Sequence, residues 1–124
     1  MTYNTQYYIL PSSIRRTFVE SASFSRKIDE EDPEVLLHIQ TELLKNLSAG
    51  AVIQGTGGFR KVRIADARRG KGKRGGYRVI YLDVPDLART YLFMLYDKSE
   101  KGDLSPDEKR ILKGAAEKIK KGVR

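Results

Sequence analysis

Cysteine is absent from this chain of 124 residues, and histidine occurs once. The lack of cysteine excludes disulfides, thiolate zinc sites and cysteine nucleophiles, and it is compatible with a reducing compartment. The single histidine, His38, falls on a predicted helix opposite its apolar stripe, so we interpret it as a solvated surface residue. Catalysis by the familiar cysteine or histidine constellations is therefore not expected.

Long apolar runs are also missing. No segment approaches membrane-spanning length, and the amino terminus, MTYNTQYYILPSS, lacks the basic lead and apolar run of a signal peptide. We therefore expect a cytoplasmic protein with no membrane partner.

Nucleotide and metal sites have little support in the sequence. The glycines of GTGG at residues 55–58 precede a predicted strand, and no Walker lysine-serine pair follows, which argues against a nucleotide loop. The acids at 29–32 and 103–108 lie next to helix starts, where compensation of the helix dipole explains them better than a cation site. We expect neither a metal nor another cofactor.

The length suits one compact domain with a single modest core. With 40% hydrophobic and 32% charged residues, the composition is that of a folded, soluble protein with a heavily ionised surface. We predict an N-terminal extension over residues 1–15 and one domain over residues 16–124.

Positive charge is concentrated in one stretch, from Gly58 to Arg78. It holds nine basic residues against one acid, a net charge of +8 that equals the formal charge of the whole chain. The remainder of the chain is therefore neutral. A charge concentrated in this way is the electrostatic footprint of a polyanion partner, and RNA or DNA is the first inference.

The hydrophobic patterns predict a small α+β domain with an antiparallel sheet. In chain order they indicate a strand at 16–20, a short helix within 21–29, a helix from Pro33 to about Leu47, strands at 59–64, 77–84 and 89–96, and a helix from Pro106 to about Lys121. Residues 65–76, rich in glycine and basic side chains, are expected to form a mobile loop. The apolar stripes are Leu36, Ile39, Leu43 and Leu47 on the second helix, and Ile111, Leu112, Ala115 and Ile119 on the last.

Residues 59–64, within the basic stretch, alternate between the two faces of a predicted strand. If Val62 and Ile64 face the helices, Lys61 and Arg63 point to the open face of the sheet. Such cations could bind phosphate, or could cleave RNA without a metal, because preplaced arginines stabilise the charge that develops on phosphorus. A lysine crowded by other cations can also move a proton near neutral pH. The alternative is that these are solvated strand residues.

Two segments carry a resemblance to a known family. The run GTGGFRKVRIADARRGKGKRGGYRVIYL, followed by YDKSEKGDLSPDEKRIL, closely resembles the RelE/HigB superfamily of toxins from type II toxin-antitoxin systems, and the HigB-like branch in particular. The resemblance implies a sheet of about four antiparallel strands, two N-terminal helices packed on it, and a C-terminal helix. It also implies cleavage of messenger RNA on the ribosome and neutralisation by a cognate antitoxin, of the helix-turn-helix, HigA-like type.

The resemblance also assigns roles by position. Lys61 and Arg63 match basic residues used for proton transfer and phosphate contact, and Arg78 matches an arginine that stabilises the transition state. Lys98 lies next to the position of a general acid. The residues expected to bind RNA are Arg60, Arg68, Arg69, Lys71, Lys73, Arg74 and Tyr77. Two other readings stay open: a non-catalytic RNA- or ribosome-binding protein of the same fold, and a structural partner of an acidic protein.

Overall fold

The computed structural model describes residues 15–66, 76–97 and 99–122. Most of the predicted N-terminal extension, residues 1–14, lies outside the described residues, as does the basic loop from 67 to 75. The elements are β1 (Thr17–Glu20), α1 (Ala22–Asp29), α2 (Pro33–Lys45), β2 (Ala51–Val52), β3 (Arg60–Ile64), β4 (Tyr77–Val84), a 3₁₀ turn (Pro85–Leu87), β5 (Arg89–Asp97) and α3 (Pro106–Lys121). The predicted α+β class is confirmed.

Local signals place the first and last helices. The Ser21 hydroxyl accepts a hydrogen bond from the Phe24 amide and starts α1. Ser105 and Glu108 form a reciprocal capping box at α3, as their spacing predicts. Both caps satisfy amides that the first helical turn leaves unpaired.

The sheet differs from the prediction in strand number and direction. It has five strands in the order β1-β5-β4-β3-β2, and β1 pairs with β5 in parallel, Thr17 beside Arg89 and Glu20 beside Leu92. The predicted antiparallel pairing holds for β3, β4 and β5, and the additional strand β2 is antiparallel to β3. A parallel direction is possible for β1 because no hairpin joins it to another strand. Helices α1 and α2 follow β1, and the chain re-enters the sheet as β2 at the opposite edge.

The two faces of the sheet have different covers. The α1/α2 face packs its apolar side chains, Val62, Ile64, Tyr77, Val79, Tyr81, Leu92 and Leu95, against Phe24, Ile28, Val35, Ile39 and Leu43. On the α3 face, Phe59, Ile80, Leu82, Val84 and Tyr96 pack against Leu104, Leu112 and Ala116. The two helix stripes are slightly rotated from the prediction. Val35 and Ala116 are fully buried, whereas Ile111, placed in the stripe by sequence, is 68% exposed.

Gly76 permits the close pairing of β3 with β4 at one end. A Cβ at this position would lie 2.0 Å from the carbonyl oxygen of Ile64, which no side chain tolerates. Arg78 follows two residues later, opposite Arg63. The close approach of β4 to β3 beside these two arginines therefore requires a glycine at position 76.

Candidate nucleic-acid interface and active site

A row of functional side chains crosses three strands on the α3 face. Arg63 of β3 lies opposite Arg78 of β4, and Arg78 lies opposite Tyr96 of β5. Lys61 precedes Arg63 by two residues and so shares its face, while Val62 and Ile64 pack on the α1/α2 face. Lys61 and Arg63 point away from α1 and α2, as predicted, but the face they lie on is not fully open, because α3 packs on part of it.

These residues line a cleft of about 350 Å³. Its lining residues are Lys61, Arg63, Arg78, Tyr96, Lys101, Gly102 and Asp103. The structure thus brings together three residues predicted from the sequence as catalytic, Lys61, Arg63 and Arg78, and places the other four beside them. With four cations and one carboxylate, the described lining is strongly positive and suits an anionic ligand.

Within the cleft the two arginines differ in exposure. Arg78 is 6% exposed and donates to the carbonyl of Gly76, whereas Arg63 is exposed. Because a buried charge acts through a lower dielectric, Arg78 interacts more strongly with a phosphate at the floor of the cleft. Arg63 is suited to meet the same ligand nearer to solvent.

Tyr96 reaches the cleft because β5 contains a bulge. Ile80 pairs with Met94, but the next residue, Tyr81, pairs with Leu92, so one residue of β5 is extra. Leu92 and Tyr96 would share a face in a regular strand, yet Leu92 packs on the α1/α2 face and Tyr96 on the α3 face. Bulges commonly re-aim a side chain next to a site in this way.

The Tyr96 hydroxyl is suited to donate a hydrogen bond. Burial, the largest cause, raises the pKa of Tyr96 above its ordinary value, while the nearby Arg78 acts in the opposite direction. The phenol therefore keeps its proton at neutral pH. It can donate that proton to a phosphate oxygen held by Arg78.

The chain between β5 and α3 forms the remaining wall and is braced by hydrogen bonds and ion pairs. The Glu100 carboxylate accepts from the Lys27 ammonium at 2.9 Å and from the Asp97 amide at 2.8 Å. Lys101 donates to Glu108 at 2.7 Å. Leu104 is buried beneath α3. This bracing, from Asp97 to Leu104, holds Gly102 and Asp103 beside the cleft.

The ion pairs also lower the pKa values of the carboxylates that form them. The hydrogen bond from Lys27 is the largest cause that lowers the pKa of Glu100, and the hydrogen bond from Lys101 does the same for Glu108. Reciprocally, Glu100 raises the pKa of Lys27. Both carboxylates are therefore charged at neutral pH.

Asp103 faces Lys61 across the cleft. Lys61 Nζ lies 3.5 Å from Asp103 Oδ1, and the Asp103 side chain is 94% exposed. An ion pair this open to water contributes little stability, so either partner can turn to a ligand.

Two residues predicted to bind RNA lie on the opposite face. Arg60 donates to the carbonyls of Ser48 and Gly50, and Tyr77, 2% exposed, donates its hydroxyl to Glu31. Their roles in RNA binding stay predictions, and the structure does not bring them to the cleft.

The remaining predicted site residues lie outside the described residues. They are Lys98, Arg68, Arg69, Lys71, Lys73 and Arg74.

The comparison with known families agrees with this geometry. The model of the RelE toxin of the RelE/RelB toxin-antitoxin system matches residues 21–123. The chain belongs to the RelE toxin family. Membership in this toxin-antitoxin family implies an antitoxin partner for this RelE-family protein.

Two further observations concern the described part of the chain. Its helices are too short or too polar to cross a membrane. No group of three or more histidine and acidic side chains is arranged there to hold a metal ion.

The sequence gives little indication that Tyr96, Lys101 and Asp103 lie in the cleft. The bulge that turns Tyr96 toward the cleft cannot be recognised in the sequence. TYLFMLY is apolar almost throughout, so it has no alternation of polar and apolar residues for the bulge to interrupt. Asp103 was interpreted as an acid that compensates a helix dipole, and Lys101 was not singled out. A weak signal was the alternating charge of KSEKGD, which indicates ion pairs but not their partners.

Proposed function

We propose that this RelE-family toxin is a ribosome-dependent messenger RNA endonuclease that inhibits translation. The observation that supports the proposal most directly is the convergence of Lys61, Arg63 and Arg78 with Tyr96 in one cleft. Rigid strands hold the two arginines and the tyrosine in one row, so they can be directed at a single phosphate.

The chemistry needs no metal ion. The 2′-hydroxyl of one nucleotide attacks the adjacent phosphorus, the bond to the 5′ oxygen breaks, and the products are a 2′,3′-cyclic phosphate and a 5′-hydroxyl end. Arg63 and Arg78 stabilise the extra negative charge on the phosphorane-like transition state. Lys61 contacts the phosphate and takes part in proton transfer, and Lys98 protonates the leaving oxygen.

The basic loop has a separate task in this proposal. Arg68, Arg69, Lys71, Lys73 and Arg74 dock the ribosome-bound message through phosphate contacts, which position RNA without reading its sequence. The protein acts in the cytoplasm, where the ribosomes are, and its antitoxin is of the helix-turn-helix, HigA-like type, as expected for the HigB-like branch.

The test is inducible expression without an antitoxin, with primer extension on a translated message. Wild type is expected to cut the message and stop growth, and Arg78→Ala to lower the cleavage rate by about 10²- to 10³-fold, as loss of one transition-state donor does. Arg110→Ala is the matched control, because Arg110 is an exposed arginine of α3 that pairs with Asp107.

Thermal unfolding of the purified variants shows whether Arg78→Ala still folds, since Arg78 is nearly buried. Should Arg78→Ala prove unstable, Arg63→Ala replaces it, because Arg63 is exposed and its truncation leaves the core intact. A soluble wild type that binds ribosomes but leaves transcripts uncut would instead support a non-catalytic RNA-binding protein of the same fold.

A further inference from the structure

The charges outside the basic stretch sum to zero, but they are separated between the two sides of the sheet. Residues 22–45, which include α1 and α2, hold three basic and six acidic residues, a net charge of −3. Helix α3 holds six basic and three acidic residues, a net charge of +3. The side of the sheet that carries the cleft is therefore positive beyond the cleft itself.

Compensation of the helix dipole explains only part of the positive charge on α3. Cations are stabilised near the C-terminus of a helix, which is where Lys118, Lys120 and Lys121 lie. Lys109 and Lys113 lie instead in the first half of α3, where the dipole does not favour a cation. In the part of the chain that the structure describes, neither of them forms an ion pair. Local electrostatics therefore does not account for these two lysines.

Helix α3 runs along strand β3. It starts beside the cleft, because the Asp103 carboxylate, just before the helix, lies 3.5 Å from the Lys61 ammonium. Its C-terminal half lies on the glycine turn that precedes β3. A Cβ on Gly57 would lie 2.8 Å from the Cβ of Ala116, and Lys120 donates to the Gly57 carbonyl. One flank of α3 therefore follows β3 from the cleft back to the start of the strand.

Three lysines lie along this flank, Lys109, Lys113 and Lys120, and we call them the lysine line. Together with Ala116 they are spaced by four, three and four residues, so they share one face of the helix. Because Ala116 lies against Gly57, that face is the one turned toward β3. The line spans roughly 17 Å, at a rise of about 1.5 Å per residue. It extends the positive surface of the cleft along β3.

We propose that the lysine line binds the phosphates of the message strand where that strand leaves the cleft. The inference rests on the proposed nuclease function, in which the scissile phosphate lies in the cleft beside Lys61 and Arg78. Single-stranded RNA carries a negative charge on every nucleotide, and a positive groove that follows the backbone holds it without reading its sequence. The acidic layer of α1 and α2 repels the same strand, so the charge of the protein favours one side of the sheet for RNA.

Two double variants of the full-length protein test the proposal. Lys109→Gln with Lys113→Gln removes two cations from the line. Lys118→Gln with Lys121→Gln is the matched control, because it removes the same charge from exposed positions of the same helix that lie off the line. Glutamine has nearly the helix propensity of lysine, and circular dichroism checks that both variants fold. Lys120 is left in place, since its bond to Gly57 also holds α3 against the turn.

Binding of a short single-stranded RNA is measured by fluorescence anisotropy over a range of salt concentrations. The RNA carries 2′-O-methyl groups, so it has no attacking hydroxyl and stays intact. We expect the line variant to make the slope of log K against log salt concentration shallower by about 0.7 for each lost phosphate contact, and so by about 1.4 for both. The control variant should keep the wild-type slope, and each protein should bind one strand.

Several results would overturn the proposal. Equal changes in slope for the two variants would show that only total charge matters, and two strands bound per protein would show that the line and the cleft hold different molecules. A wild type that does not bind the RNA also contradicts it. If the line variant loses ribosome binding in cosedimentation but keeps the wild-type slope with free RNA, the line contacts ribosomal RNA and not the message.

The nuclease function is tested apart from the lysine line. Cleavage of a defined message on purified ribosomes is followed under single-turnover conditions, with toxin in excess. A wild type that shows the expected slopes but leaves the message uncut overturns the nuclease function and keeps the lysine line as a surface for RNA. A wild type that cuts the message while the line variant keeps the wild-type slope overturns the line alone.

Discussion

The two faces of the sheet are built from the same strands and yet have opposite characters. On the α1/α2 face, Val62 and Val79 belong to a continuous apolar core. One residue away along each strand, Arg63 and Arg78 line a cationic cleft on the α3 face. A shift of a single residue in register would exchange the two sets, so packing of the core fixes the position of the site.

Buried polar side chains also have different surroundings on the two faces. On the α1/α2 face, the Tyr81 hydroxyl donates to the carbonyl of Ala49 at 2.6 Å, and burial raises the pKa of Tyr81 to about 12. On the α3 face, Tyr96 and Arg78 are nearly as buried but border an open cleft. Polar groups of the first kind stabilise the fold, whereas those of the second border the cleft, where a ligand can reach them.

The largest effect should come from exchanging tyrosine for leucine on each face. Tyr77→Leu removes a buried ring and the hydroxyl that bonds to Glu31, so we expect the free energy of unfolding to fall by roughly 2–3 kcal/mol. Cleavage per folded molecule should be unchanged, because Tyr77 faces away from the cleft. Tyr96→Leu should lower cleavage as well as stability.

Chemical denaturation and the single-turnover assay measure these two quantities for each variant. If Tyr77 binds RNA, as predicted from the sequence, Tyr77→Leu will weaken ribosome binding even under conditions where the variant is fully folded. That result would place an RNA contact on the α1/α2 face.

A smaller effect is expected on the salt dependence of RNA binding, where the two arginines of β3, Arg60 and Arg63, should differ. Arg63→Ala removes one cation from the cleft, and the slope of log K against log salt concentration for single-stranded RNA should become shallower by about 0.7. Arg60→Ala serves as its control, because Arg60 binds the carbonyls of Ser48 and Gly50 on the other side. Equal changes in slope for the two variants would contradict the division between faces.

The smallest effect is expected on the pH dependence of stability. It concerns the ion pair between Lys27 of α1 and Glu100 of the cleft wall. Because the folded state lowers the pKa of Glu100, the pair stabilises the fold above the ordinary value of 4.5 and is lost as pH falls through the lower, folded value. The Glu100 side chain is 44% exposed, so the stabilisation is only about 0.2–1 kcal/mol.

Urea unfolding at neutral pH and near pH 3 tests this dependence. Glu100→Gln should be less stable than wild type at neutral pH and nearly equal to it in acid. Glu117→Gln, on the exposed side of α3, supplies the comparison with an unbraced glutamate. A difference between wild type and Glu100→Gln that stays constant with pH would show that the pair does not cause the stabilisation.

Much of the fold could be predicted because its signals are local. The bounds of β4, the capping box at Ser105 and the alternation of β3 depend on residues a few positions apart. The parallel partner of β1 was not predictable, since it lies far along the chain and no turn connects the two strands. Strand β2 has two residues, too few to show a period.

The site was predictable where chemistry and alternation coincide, at Lys61, Arg63 and Arg78. The positions of Tyr96 and Asp103 in the cleft could not be predicted, because they depend on a bulge in β5 and on the return of the chain from β5 to α3. Arg60 and Tyr77 were selected for their chemistry, although the period of two places Arg60 with Val62 on the core side.

The parallel pairing of β1 with β5 has a consequence for the order of folding. The Ser21 hydroxyl bonds to the carbonyl of Phe93, a contact 72 positions along the chain. Strands β3, β4 and β5 instead pair with their sequence neighbours, and contacts of short range form before those that close long loops. During synthesis, β1 therefore waits for most of the protein to emerge, and the wall with Lys101 and Asp103 emerges later still. We expect the cleft to be complete only after α3 and the residues before it have left the ribosome that makes the chain.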